Sequence, residues 1–187
     1  MVMRCESLFA DLESQLQAQL AEDLRAEIAE SVRVEQARQT LAERLLTCQG
    51  RPLSLRLAGG EELTARLGPV GNDYLCLEES ATRWLIRAAA VQTVALPPKP
   101  SAHSETVKLA AARFAAVLRA LLRDRNPVQV HGIAGQLLGE GTLLQAAQDF
   151  IVLGTHARDE YARPRSITSE LLIPHTALGW LMLEHRH

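Results

Sequence analysis

Residues 55–79, LRLAGGEELTARLGPVGNDYLCLEE, contain the pattern that decides the fold. Apolar and polar residues alternate along this stretch, and the pairs Gly59-Gly60 and Gly71-Asn72 interrupt the alternation. A period of two is typical of strands with one buried face, and such glycine-containing pairs form tight turns. The stretch therefore predicts three antiparallel strands joined by short hairpin turns.

The pattern continues to residue 96, with two further short strands expected at 84–86 and 91–96. Five strands within residues 50–96 leave no room for crossover helices, so the sheet must be antiparallel. A sheet this short and curved is expected to close into a small barrel. The residues expected in its core are Leu55, Leu57, Leu63, Leu67, Leu75, Leu77, Ile86 and Val91.

A similar pattern returns in residues 127–153, PVQVHGIAGQLLGEGTLLQAAQDFIVL, and continues through residues 171–183. This similarity indicates an internal duplication and predicts a second barrel that superimposes on the first. A single continuous sheet through both halves would contradict two separate barrels. The matched positions are Pro52 with Pro127, Leu63 with Leu138, Leu67 with Leu143, Asp73 with Asp149, Leu77 with Leu153, Ile86 with Ile173, and Val91 with Leu178. The second core is expected to contain Val128, Val130, Leu138, Leu143, Ile151, Leu153, Leu172 and Leu178.

Residues 1–49 contain no Gly or Pro and are rich in helix-forming residues, so they predict one long helix. Large apolar residues recur every four positions, a spacing that drifts about 40° per step around a helix. Either the helix folds back near Ser31 onto its own chain, or this stripe packs against a partner, such as a second copy. The stripe consists of Leu8, Leu12, Leu16, Leu20, Leu24, Ile28 and Val32, and the first six are the candidates for self-association.

The two predicted barrels are connected by a linker and a helix. Residues 97–103 are rich in proline and small polar residues and predict the linker. Residues 104–125 predict an amphipathic helix that begins at Ser104 and closes the open end of the second barrel. Its buried stripe is expected to contain Ala110, Phe114, Val117, Leu118 and Leu121. Within the second barrel, spanning 126–187, the polar segment 156–168 is expected to be a long loop that proteases cut first. The expected fold class is therefore α+β, with a long helix followed by two helix-plus-five-stranded antiparallel barrels.

Charge and composition limit the classes of function. The 187 residues are 47% hydrophobic and carry a net charge of −2. Residues 1–50 have nine acids and five arginines, a balance of −4, whereas residues 97–187 have ten basic and eight acidic residues, a balance of +2. This mild asymmetry argues against a strongly cationic nucleic-acid surface. Apolar runs are too short for a membrane span, and the three cysteines show no paired spacing, so a cytoplasmic protein is expected.

Motifs of catalysis or cofactor binding are not found in the sequence. Phosphate-loop, dinucleotide-binding, zinc-protease and hydrolase patterns are all missing, so we expect no enzyme activity, no cofactor and no metal. His131 and His175 lie on predicted strands and are expected to be packed, hydrogen-bonded side chains. His185 and His187 flank the C-terminal arginine and are expected to be solvated.

A helix followed by five short, bent strands resembles the Sm-like small barrel, over residues 41–96 and again over 110–184. In that family, an Asp and an Asn after the second strand contact RNA, and an Arg-Gly pair follows an apolar residue later in the barrel. In LGPVGNDYLCL, residues 67–77, Gly71 stands near the place of the acid and Tyr74 near that of the asparagine. IRAAAVQTV, residues 86–94, keeps Arg87 but has alanine in place of the glycine. The second half has Phe150 and Pro174 at the corresponding positions. The whole arrangement also resembles two-barrel proteins of high-GC actinobacteria, which implies no particular activity.

Two classes of function follow from these observations. The leading hypothesis is a non-enzymatic interaction or scaffold protein that forms a homodimer through its N-terminal helix or binds another protein. The alternative is an Sm-like protein that binds RNA through Arg56, Arg66, Tyr74 and Arg87 of the first barrel. In a purely structural interpretation, these arginines only solvate the outer face of the strands.

Overall fold

The computed structural model describes residues 2–96, 110–155 and 167–184, with side chains described from residue 15 onward. The chain divides into two units, Met1–Thr40 and Leu41–His187, which we describe separately. The architecture is α+β, with a long N-terminal helix followed by a ten-stranded antiparallel sheet. The predicted linker 97–103, Ser104, most of the predicted loop 156–168, and both C-terminal histidines lie outside the described residues.

The N-terminal helix, α1, spans Val2–Arg38. It continues through Ser31, so the alternative in which the chain folds back at that residue is not seen. The single helix expected over residues 1–49 is interrupted after Arg38, because a second helix, α2, spans Leu41–Leu46. The sequence TLAE, residues 40–43, has the spacing of a capping box, which favours a new helix start at this point.

The described residues of the second unit form ten strands, and the antiparallel strands predicted from the alternating pattern are confirmed. The first five are β1 (Pro52–Leu57), β2 (Glu62–Val70), β3 (Tyr74–Glu79), β4 (Thr82–Arg87) and β5 (Val91–Ala95). The helix α3 (Phe114–Asp124) precedes β6 (Pro127–Gly132), β7 (Leu137–Ala146), β8 (Phe150–Thr155), β9 (Ser169–Pro174) and β10 (Leu178–Glu184). Short 3₁₀ helices, Ala88–Ala90 and His175–Ala177, lead into β5 and β10. Residues 110–113 are not helical, so α3 begins later than the sequence predicted.

The strand order is β5-β1-β2-β3-β4-β10-β6-β7-β8-β9. Strand β4 pairs with β10, so the two halves share one continuous sheet that does not close. The prediction of two separate, closed barrels is therefore not confirmed. The physical reason lies in the runs WLI in β4 and WLML in β10, which are apolar on both faces. A strand of this kind is best buried between neighbours rather than left at an edge.

Strands β4 and β10 separate two hydrophobic cores. Successive residues of a strand point to opposite faces, so one strand can contribute to both cores. Trp84 and Ile86 belong to the first core, whereas Leu85 between them belongs to the second. In β10, Trp180 likewise enters the first core and Leu181 the second.

The α-helices α2 and α3 of the second unit cover different cores. Leu45 of α2 is buried in the first core. Phe114 and Leu118 of α3 are buried in the second core, while Val117 and Leu121 are partly buried against it. Helix α3 therefore packs on the core of the second half, whereas the barrel whose open end it was expected to close is not confirmed.

The predicted cores agree with the structure at most positions. In the first core only Leu63 and Val91 are partly rather than fully buried. In the second core Leu138 is partly buried, and the prediction for Leu172 is wrong because 66% of it is exposed. Ile173 takes the buried place instead. Residues 171–173 are all apolar, so the sequence does not show which of them point toward the core. An error of one residue in the assignment reverses the face of every side chain.

The strand register also corrects one matched pair of the internal alignment. Leu63 lies opposite Leu55 of β1, whereas Gly139 lies opposite Val130 of β6. Gly139, and not Leu138, is therefore the counterpart of Leu63. The additional residue is accommodated by an irregularity in the register of β6 and β7 next to Val130.

Candidate assembly surfaces

The junction between the two halves of the second unit is formed by β4 and β10. Antiparallel pairing places Leu85 opposite Leu181 and Ile86 opposite Trp180. Leu85 and Leu181 are 2% and 0% exposed. The junction therefore combines a strand ladder with apolar side chains that are removed from water.

Asp73 ties the β2–β3 turn to the second half of the unit. Its carboxylate oxygen Oδ1 accepts a hydrogen bond of 3.0 Å from the backbone N–H of Phe114, the first residue of α3. Its backbone carbonyl accepts a second bond of 3.0 Å from the N–H of Ala88. The first N–H groups of a helix have no partner within the helix, and a carboxylate at this end is also favoured by the helix dipole. Asp73 therefore replaces the missing cap, since Arg113 at the N-cap position makes no side-chain capping bond.

Arg87 connects the end of β4 to the second half of the unit through two contacts. Its guanidinium donates a hydrogen bond to the backbone carbonyl of His175. The guanidinium carbon also lies 5.6 Å from the centre of the Phe114 ring, within the range of a cation–π interaction. Burial lowers the pKa of His175 from its ordinary value, the positive charges of Arg87 and Arg119 lower it further, and Asp149 partly opposes them. Arg87 is thus engaged within the protein and is not held free for a ligand.

Tyr74 is a packing residue in this structure. Only 4% of it is exposed, and it belongs to the second core. Its ring lies against the backbone of Gly71, where a Cβ would overlap the ring. Burial raises the pKa of Tyr74, and the nearby Cys76 and Asp73 raise it further. The ring is therefore not available to stack on a nucleic-acid base.

The other two predicted RNA-binding residues lie on the exposed surface of β1 and β2. Arg56 forms an ion pair with Glu62, and its Nε donates to Oε1 at 3.0 Å. Arg66 donates a 2.7 Å hydrogen bond to the backbone carbonyl of Gly50. Arg66 is opposite Pro52, four residues from Arg56 along β1, or about 13 Å at the usual strand rise. The structure does not bring the four predicted residues together into one basic surface.

The apolar stripe of α1 is exposed along its described part. The side chains of Leu8 and Leu12 lie outside the described ones. Between 56% and 60% of each remaining candidate is exposed, namely Leu16, Leu20, Leu24 and Ile28. These residues form a continuous row because positions four apart are neighbours on a helix.

Strands β5 and β9 are the two edges of the described sheet. Exposed edges can pair with a further strand, and soluble proteins generally protect them. Leu172 is the most exposed large apolar side chain of the sheet and lies on β9. Sequence reasoning missed the exposure of Leu172 because it placed this residue in the core. It also gave Asp73 no role, although the position of Asp73 in the turn sequence GND was an available signal.

The two described histidines of the second half, His131 and His175, do not belong to a metal centre. Among the described residues, no group of three or more His, Cys, Asp or Glu residues could hold a metal ion. His131 stacks on Trp180 with ring centres 4.8 Å apart. Contrary to expectation, His131 Nδ1 and His175 Nε2 are buried atoms without a hydrogen-bond partner in the described part of the chain. No helix among the described residues is long and apolar enough to cross a membrane.

In comparisons with protein-family models, curated proteins and solved structures, nothing matches this chain. The class of protein is therefore defined by the fold alone, as an α+β protein with one ten-stranded antiparallel sheet and a separate N-terminal helix.

Proposed function

We propose that this protein is a non-enzymatic scaffold that self-associates through its N-terminal helix. In this proposal, α1 pairs with α1 of a second copy, and the second unit presents surfaces for further contacts. The observation that carries the proposal is the exposed row Leu16, Leu20, Leu24 and Ile28.

Burying this apolar row against a partner is energetically favourable. Fully burying one Leu or Ile side chain is worth about 1.5–3 kcal/mol. Four such side chains, each more than half exposed, form a contiguous apolar stripe on a helix of 37 residues. Stripes of this kind mark interaction surfaces, and rows of residues four apart are one of the ridges by which helices pack. A second copy supplies a matching row, and two-fold dimers are the commonest closed assemblies.

We further propose that the two halves of the second unit are duplicated, Sm-like modules joined side by side. The order β5-β1-β2-β3-β4 is matched by β10-β6-β7-β8-β9. Register irregularities also fall at corresponding places, next to Arg56 and Leu57 in the first half and between Leu178 and Trp180 in the second. A shared ancestor of both halves accounts for this agreement in detail better than chance does.

RNA binding receives less support than self-association. The ring of Tyr74 is buried, and Arg56, Arg66 and Arg87 each contact other groups of the protein. A gel shift with single-stranded RNA at increasing salt tests this alternative. Salt-sensitive binding that is lost in Arg56→Ala and Arg66→Ala would reinstate it.

The self-association is tested by comparing two double variants in full-length protein. Leu20→Glu with Leu24→Glu places charges on the apolar row. Gln15→Glu with Ala18→Glu places the same residue type on exposed positions about 140–160° away from Leu20 around the helix. By sedimentation velocity, we expect the first variant to lose mass relative to the wild type and the control to keep it. Equal masses for all three, or a wild type of 20.5 kDa at tens of micromolar, would contradict the proposal.

A further inference from the structure

The apolar row of α1 winds around the helix instead of following its axis. Leu16, Leu20, Leu24 and Ile28 are four positions apart, and each step advances about 40° around the axis. Straight helices that lie side by side lose such a row after a few steps, and coiled coils follow repeats of about 3.5 or 3.67 residues per turn, neither of which matches a repeat of four. Rows four residues apart instead interlock when two helices cross at about −50°. A contact between two such rows is therefore short and steeply crossed.

Leu20 and Leu24 are the middle members of the described row, and we call the midpoint between them the contact point. More than half of each side chain is exposed. The contact point lies many residues from either end of Val2–Arg38. The effect of a helix dipole falls off within the first and last turn, so the dipoles do not decide whether a partner helix runs parallel or antiparallel here. That direction depends on the side chains beside the row.

The two sides of the row differ in charge next to the contact point. Glu27 and Asp23 lie about 40° and 80° to one side of it around the helix, and we call them the acidic flank. Gln17 and Ala21 lie about 40° and 80° to the other side and form the uncharged flank. Arg25 lies about 120° from the contact point, too far around the helix to stand within either flank.

The symmetry of a two-fold pair decides which flanks meet. In a parallel pair the two-fold axis runs along the helices, so the acidic flank of each copy lies beside the uncharged flank of the other. In an antiparallel pair the axis runs across the helices, and both acidic flanks lie on the same side. Like charges placed together across an interface are unfavourable. The charges next to the contact point therefore favour the parallel pair.

We propose that α1 pairs in parallel with α1 of a second copy and that the two helices cross at Leu20 and Leu24. This inference rests on the proposed self-association and adds its direction. Because Leu41–His187 follows α1 in each chain, both second units then leave the helix pair at the same end. The dimer presents two copies of the ten-stranded sheet from that end, so a partner with two binding sites can engage both at once and gain affinity.

Distances between spin labels in the full-length protein measure the direction of the pair. The label is attached at Gln36→Cys in a chain carrying Cys5→Ser, Cys48→Ala and Cys76→Ala, because Gln36 is exposed and points away from the contact point. It lies about 21 Å from the contact point along the helix, so we expect roughly 20–30 Å between labels in a parallel crossed pair. A distance of roughly 40–50 Å would show an antiparallel pair and overturn the inference, while the self-association would stand. An absence of coupling between labels at tens of micromolar would contradict the self-association itself, and the direction with it.

Oxidation of single cysteines in the same background tests the crossing. Leu24→Cys lies at the contact point and should form a disulfide-linked dimer. Ser31→Cys faces the same side of the helix but lies about 13 Å further along, where crossed helices have moved apart by roughly 11 Å, so it should link poorly. Equal linking at both positions would indicate helices that lie side by side and would overturn the crossed contact.

A charge substitution tests the direction without replacing any cysteine. Ala21→Lys places a positive charge beside the partner's acidic flank in a parallel pair, but beside the same substitution of the partner in an antiparallel pair. Ala29→Lys is the matched control, because it adds the same charge at an exposed position on the far side of α1. By sedimentation equilibrium at low salt, the dimer Kd should be about two- to fivefold lower for Ala21→Lys than for the control, and the difference should vanish in about 1 M salt. A Kd for Ala21→Lys equal to or above that of the control would overturn the parallel pairing.

Discussion

The carboxylate of Asp73 accepts a hydrogen bond from the backbone N–H of Phe114, 41 residues later in the sequence, at 3.0 Å. A turn in the first half of the sheet thereby caps the helix that covers the core of the second half. This hydrogen bond, together with the β4–β10 ladder, links the two halves of the sheet.

Asp73→Ala should lower the free energy of unfolding by about 0.5–2 kcal/mol, because the first turn of α3 loses its carboxylate cap. Asp149→Ala is the matched control, since Asp149 is the counterpart residue in the second half and is exposed. We expect the control to change stability by less than about 0.5 kcal/mol. Urea unfolding followed by circular dichroism measures both. Equal losses in the two variants would contradict the capping role.

Arg87→Ala should destabilise the second unit by about 1–3 kcal/mol, because it removes the bond to the His175 carbonyl and the contact with the Phe114 ring. Arg83→Ala on the same strand removes only an exposed ion pair with Glu78 at 3.4 Å, and it should cost about 0–1 kcal/mol. Thermal unfolding of both variants provides the comparison. A larger loss for Arg83→Ala would show that the junction contacts of Arg87 are unimportant.

Gly71→Ala should destabilise the protein by about 1–3 kcal/mol, since the added Cβ would overlap the buried ring of Tyr74. Gly68→Ala is a suitable control on the neighbouring part of β2, because its nearest contacts would be ordinary ones at 3.5 Å. We expect the control to be close to neutral in a denaturant titration. If both glycines tolerate alanine equally, the packing of Tyr74 on Gly71 is not tight.

Stability should fall as the solution becomes acidic, partly through His175. Its pKa is lowered in the folded protein by burial and by Arg87, so the unfolded chain binds the proton more readily. The contribution is fully present above 6.5, the ordinary pKa, and is lost as the pH falls through the lowered folded value. In His175→Gln, the difference between urea midpoints at pH 5 and pH 7.5 should therefore shrink. If the difference between the two midpoints is the same in His175→Gln as in the wild type, groups other than His175 cause the loss of stability in acid.

Cys76 should be a poor nucleophile. Burial, reinforced by Glu78, raises its pKa from 9.0 to about 12, with Arg83 opposing the shift. Because the thiolate is the reactive form, alkylation by iodoacetamide at pH 8 should be on the order of a thousandfold slower than for an ordinary thiol. Ala95→Cys, an exposed position on β5, provides the fast-reacting control. Peptide mapping by mass spectrometry measures the alkylation of both sites. Similar rates at Cys76 and at the control cysteine would contradict the prediction.

Several parts of the fold could be predicted from the sequence because they depend on local pattern. The alternation around Leu55 and Leu75 predicts strands, and the row from Leu16 to Ile28 predicts an amphipathic helix. The candidate RNA-binding residues could not be assessed in this way. Their residue types match a basic surface, but hydrogen-bond partners such as Gly50 for Arg66 depend on chain segments that meet only in the folded protein.

The sequence by itself determined the strands, the turns, the apolar row of the helix and most of the core positions that it named, because period and residue type record which side of an element is buried. Only the tertiary structure decided that β4 pairs with β10, that Leu85 is covered and that Leu172 is not. Consecutive apolar residues are compatible with either face of a strand, and the choice depends on which strand lies next to it. That neighbour lies about a hundred residues away for β4, and although an apolar run indicates that a strand has neighbours, it does not identify which strand pairs with it.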